Sequence, residues 1–84
     1  MEEVETIVAD LGQLDDVERV AERLADTARP IDMLVNNAGY GMKTRLDEPD
    51  LAEAADAITV MMHGPLVLAA AVVPGMRERG HGAI

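Results

Sequence analysis

Short runs of strand-forming residues alternate with longer stretches of helical period, and that alternation leaves few folds open to the chain. In residues 4–11, Val4, Thr6 and Val8 face one way while Glu5, Ile7 and Ala9 face the other, the two-residue period of a strand. The run ends at Asp10-Leu11, and Gly12 breaks it. Asp15, Asp16 and Glu18 then put negative charge in a first helical turn, where the helix dipole favours it. Val17, Val20, Ala21, Leu24 and Ala28 follow at helical spacing, and Pro30 closes the pattern. Residues 31–35 are short, apolar and suited to a buried parallel strand, and they run into the turn formers Asn36-Asn37-Ala38-Gly39.

A loop is expected over residues 40–48. Asp50 with Glu53 three positions on resembles a capping box, which predicts the start of a long helix over 50–79. Its apolar stripe is expected at Leu51, Ala54, Ala55, Ile58, Met61 and Met62, resuming after Gly64-Pro65 through Leu68, Val72 and Val73 to Met76. Gly80-His81-Gly82 ends it, and Ala83-Ile84 begin a further strand. The order strand, helix, strand, long helix, strand start predicts an α/β fold of parallel strands joined by right-handed crossovers, one incomplete domain over residues 1–84. In open parallel sheets, ligands bind beyond the carboxyl ends of the strands. The candidate positions are therefore Asp10 and Leu11 at the carboxyl end of one strand, and Asn36 to Gly39 at that of a neighbouring parallel strand, on the same rim.

The formal charge of −9 disfavours nucleic acid, whose backbone calls for Lys and Arg, and anionic membrane surfaces. The acidic start lacks the basic and apolar stretches of a secretory signal, and no unbroken apolar run has the length of a membrane span. These features lead to the expectation of a cytoplasmic protein. With no Ser and no Cys, the chain contains no serine or cysteine nucleophile, and no His/Asp/Glu group has metal-ligand spacing. His63 beside Gly64-Pro65 and His81 in a glycine-rich turn are not expected to be catalytic. Gly39-Tyr40-Gly41 is half of a dinucleotide fingerprint, but Thr44 stands at the third glycine position and no helix is expected to begin there.

From Asp32 through Gly39 the sequence resembles the strand ending in Asn-Asn-Ala-Gly of the short-chain dehydrogenase/reductase family. Gly64-Pro65-Leu66, then Val73-Pro74-Gly75-Met76, then Gly80, Gly82 and Ile84 resemble that family's next helix and strand, in the same order. The resemblance covers nearly the whole chain. It implies part of a Rossmann-type parallel sheet, NAD or NADP as cofactor of a longer parent, and carbonyl reduction or alcohol oxidation as its reaction. It also implies roles: Asp10 accepts from the adenine amino group, Leu11 offers its backbone, Asn37, Ala38 and Gly39 line the adenosine ribose, and Asn36 ties adjacent strands. Met61 stands where the family places a catalytic Asn. Pro65 has no N–H, so the Met61 carbonyl loses its helical partner; two readings follow, a retained backbone role at that position or a simple proline kink.

The resemblance also implies that the family's glycine-rich pyrophosphate turn precedes this stretch and that its catalytic Ser, Tyr and Lys follow it. The chain alone is then expected to be inactive and to bind no cofactor by itself. The alternative is a non-catalytic module that self-associates through the long helix, which in the family commonly packs between subunits.

Overall fold

The computed structural model describes residues 3–39, 45 and 47–84. Tyr40, Gly41, Thr44 and most of the expected loop lie outside the described residues. Helix α1 spans Leu14–Leu24, α2 spans Leu51–Ile58, a π-helical turn spans Thr59–His63, and α3 spans Gly64–Arg79. Asp15 and Asp16 occupy the first turn of α1, and Arg23 its last. The helix ends earlier than its apolar spacing suggests, and Ala28 lies outside it. Asp26 accepts from the Ala28 N–H at 2.9 Å, which replaces helical bonding with a local turn before Pro30. The predicted cap of α2 forms: the Asp50 carboxylate accepts from the Glu53 N–H at 3.0 Å.

The expected kink at Gly64-Pro65 is instead a π turn. The Gly64 N–H bonds back to the Thr59 carbonyl, five residues earlier, and Pro65 then sits in the first turn of α3, where its missing N–H costs little. The extra residue in that turn also rotates the buried face. Ala57, Val60, Gly64, Leu68, Val72 and Met76 form one buried stripe, whereas the expected Leu51, Ile58, Met61 and Met62 are exposed. Val17 of α1 is the deepest side chain opposite that stripe, 1% exposed. Together Leu51–Arg79 make a 29-residue helical run, by length and composition apolar enough to cross a membrane, with 28% of its most apolar stretch buried inside the molecule.

Of the expected parallel sheet, one bridge is present. Among the described residues there is no strand ladder, only isolated bridges. One joins Met33 to Ala83 in parallel, with the Leu34 N–H donating to the Ala83 carbonyl and the Ala83 N–H to the Asp32 carbonyl, both at 2.9 Å. It has the expected sense between the second and third strand segments. Residues 4–10 adopt no regular element and pair with no described strand, and Leu11 already lies in the turn closed by the Gln13 N–H on the Asp10 carbonyl. Their neighbour is α1: Arg19 donates to the Val8 carbonyl at 2.6 Å, and Arg23 to Glu5 Oε1 at 2.7 Å.

Candidate functional site

The ends of both extended segments meet the π turn. Asp10-Leu11-Gly12 leave the first segment. A Cβ built on Gly12 would lie 3.8 Å from Val60 Cγ2 and 3.9 Å from Asp56 Cβ, and one on Gly64 would lie 3.9 Å from the Leu11 carbonyl oxygen. At the other segment, a Cβ on Gly39 would lie 3.7 Å from Met61 Cγ and Sδ. The Asn36 amide donates to the Pro65 carbonyl at 3.4 Å. Residues from both segments are thus brought to one end of the fold, around residues 56–65, although the segments do not pair with each other.

Asp10 does two things in this arrangement. Its Oδ1 accepts from the Gly12 N–H at 2.9 Å and so closes the turn into α1. Its own N–H donates to Asp16 Oδ2 at 2.8 Å, the largest influence holding the Asp16 carboxyl below its ordinary pKa, with the Arg19 bond next. Among the described residues nothing donates to the second oxygen of Asp10, which stands on an exposed residue. Leu11 is half-buried, and Asn37, Ala38 and Gly39 are exposed.

Two expectations change. Asn36 reaches the start of α3 rather than a neighbouring strand. Met61 does not belong to the buried stripe; it is 42% exposed and lies against Gly39. The π turn was not foreseen. Pro65 was its one signal, because a residue without N–H breaks the regular ladder; the Thr59 hydroxyl, donating to the Ala55 carbonyl at 3.1 Å, adds a bend-promoting bond one turn earlier. No group of three or more metal-ligating side chains occurs among the described residues.

Residues 1–84 match the short chain dehydrogenase family from end to end. Human retinol dehydrogenase 8 is 38% identical over 77 residues, covering 92% of this chain and 24% of that protein. D-xylose 1-dehydrogenase of Caulobacter vibrioides is 35% identical over 75 residues, covering 89% of this chain and 29% of that protein. Among solved structures, the bulky-bulky ketone specific alcohol dehydrogenase from Comamonas testosteroni superposes with a TM-score of 0.82 at 32% identity, covering 90% of this chain and 30% of that one. The chain therefore spans between about a quarter and a third of its relatives' length, yet keeps the backbone arrangement of the corresponding part. With the motif order, the fold and these likenesses in agreement, the chain belongs to the short-chain dehydrogenase/reductase family.

Proposed function

We propose that this stretch forms the adenosine side of the nicotinamide-cofactor site of a short-chain oxidoreductase that reduces a carbonyl or oxidises an alcohol. The supporting observation is that Leu11-Gly12, directly after Asp10, and Gly39, at the end of the Asn37-Ala38-Gly39 bend, all lie against residues 56–64. Asp10 turns its free carboxylate oxygen to an adenine amino group, while Oδ1 stays committed to Gly12 and keeps the side chain in place. Leu11 presents backbone beside it. Ala38 and Gly39 let a ribose approach the main chain, since neither carries a bulky side chain. A nicotinamide dinucleotide, when bound, supplies the hydride acceptor or donor; this stretch contributes only binding and orientation. The glycine-rich turn and the Ser, Tyr and Lys of the reaction belong to other parts of such a parent, so the isolated chain is inactive in this reading.

Titration of a full-length parent that contains this stretch with ADP-ribose, followed by NMR of the backbone amides, tests it. Signals of Asp10, Leu11 and residues 37–39 shift together, and Asp10→Asn weakens binding by about 1 kcal/mol, the size of one hydrogen bond. Shifts confined to α1 or α3, or an Asp10→Asn variant that binds unchanged, exclude the assignment.

A second reading has its own support. Much of the long helical run is uncovered, with Leu51 74%, Met62 68% and Leu66 68% exposed. In that reading the chain is a self-associating module and the helix is its interface. Sedimentation over a dilution series separates the two, because a monomer at every concentration is incompatible with the second.

A further inference from the structure

Arg79, the last residue of α3, reaches across to the segment that leads into the Asn36-Asn37-Ala38-Gly39 bend. Its Nη2 donates to the Ile31 carbonyl at 2.8 Å and lies 3.5 Å from Asp32 Oδ1. The side chain is 26% exposed, and its Nε is buried with no hydrogen-bond partner among the described residues. Gly75, one turn back, leaves the room: a Cβ there would lie 2.9 Å from Arg79 Nη1. Beyond Arg79 the chain reverses at Gly80 (φ 81°), passes Gly82 against Met76, and brings Ala83 beside Met33.

We propose that Arg79 is a positioning residue: it sets the register of the Met33–Ala83 parallel pairing and, through it, the place of the bend at residues 36–39. The use of that bend rests on the adenosine reading above; the register does not. Two observations carry the assignment. First, the pairing has only two hydrogen bonds, at Leu34 and Ala83, and a lone bridge is prone to slip; a slip by one residue would turn the following side chains to the opposite face. The Arg79 bond falls on Ile31, directly before the paired residues, where it opposes such a slip. Second, an apolar side chain would fill the same half-buried place without leaving Nε unpaired. What the guanidinium adds is direction, a rigid donor fixed on one carbonyl. His81, with Nδ1 3.7 Å from Asp32 Oδ1 and both side chains exposed, adds little to this.

Amide hydrogen exchange of the 84-residue chain, in Arg79→Met and Arg79→Lys variants, tests the proposal. Arg79→Met speeds exchange at Leu34 and Ala83 about tenfold, while Val72 in α3 stays within about twofold, since only a local opening is released. The amide signals of residues 36–39 move as well, although Arg79 makes no hydrogen bond to them. Arg79→Lys recovers part of the protection, because an ammonium still reaches one carbonyl. Uniform acceleration that includes Val72 makes Arg79 a general stabiliser and overturns the proposal, as does unchanged exchange at Leu34 and Ala83. If Arg79→Met does not fold, Arg79→Gln, which stays polar but is too short for the Ile31 carbonyl, decides the question: faster exchange at Leu34 and Ala83 alone supports the assignment, and no change overturns it. No cofactor enters the measurement, so failure of ADP-ribose to bind leaves the result standing.

Discussion

Gly64 is the residue on which the arrangement closes. It is buried, and a Cβ there would meet the Thr59 carbonyl oxygen at 3.0 Å, Val17 Cγ2 at 3.8 Å and the Leu11 carbonyl oxygen at 3.9 Å. One missing side chain therefore allows the π turn to close, α3 to approach α1, and the end of the first extended segment to lie against the helix. Alanine there gains helix propensity but presses on a backbone oxygen that cannot swing aside. Valine adds two methyl groups against Thr59 and Val17 with χ1 restricted. Gly64→Val is expected to destabilise the fold by about 1–3 kcal/mol, the usual range for overpacking. A lowered urea midpoint with unchanged slope checks this, and an unchanged midpoint shows that the helices separate without cost.

At the scale of elements, α1 carries the first extended segment on its arginines rather than in a sheet. Glu5 is the hub, held by Arg23 and by Arg29, whose Nη1 lies 2.5 Å from Glu5 Oε2. The Arg23 hydrogen bond is the main cause holding the Glu5 carboxyl below its ordinary pKa, with the charges of Arg23 and Arg29 behind it. Asp26 is lowered chiefly by the Ala28 N–H, and Asp16 by the Asp10 N–H. The sign follows directly. A carboxyl whose folded pKa is depressed adds stability above its unfolded value and loses it as pH falls through the folded one. Glu5→Gln is therefore expected to lower stability at neutral pH and to lower it less in acid, as pH falls through the depressed folded pKa, so the acid limb of the stability curve becomes shallower. Urea unfolding at neutral and at acid pH checks this; equal effects at both would mean that the ion pairs are not the cause.

The same elements separate what the sequence discloses from what it conceals. Helices α1 and α3 and the Asp50 cap are local: period, charge placement and a capping pair lie within a few residues of one another, and a reader of the sequence recovers them. The strand pattern of residues 4–11 is equally visible, yet pairing is a relation between distant segments, and alternation in one run does not say which neighbour it finds. The segments that end at Asp10 and at Gly39 are read as neighbouring strands, yet no pairing between them occurs among the described residues. The stripe at Ile58, Met61 and Met62 was misjudged for a different reason. It assumed an unbroken 3.6-residue period, and one i→i−5 turn before Pro65 moves burial to Ala57 and Val60.

Taken whole, the chain is longer and more open than its size calls for. Its radius of gyration is 15.2 Å, against about 12 Å for a compact domain of this length. Its accessible surface is 6407 Å², against roughly 4,900 Å² for a compact protein of this mass. The excess of roughly 1,500 Å² exceeds what each partner buries in an ordinary interface. Much of it is apolar, with Val4 91%, Val8 86% and Val35 72% exposed along the extended segments and Met62 and Leu66 exposed on the long helix. Two kinds of cover are consistent with this surface, further strands beside the extended segments or a second copy against the helix, and they respond differently to charge. Met62 and Leu66 lie four residues apart, across the junction of the π turn and α3. If the helix is the contact, Met62→Glu with Leu66→Glu removes two apolar side chains from it, each worth about 1.5–3 kcal/mol when buried. Association then weakens about a hundredfold or more, while helix content by circular dichroism is preserved. If the extended segments are the contact, the same pair of substitutions leaves sedimentation unchanged, and Val4→Glu with Val8→Glu disperses the assembly instead.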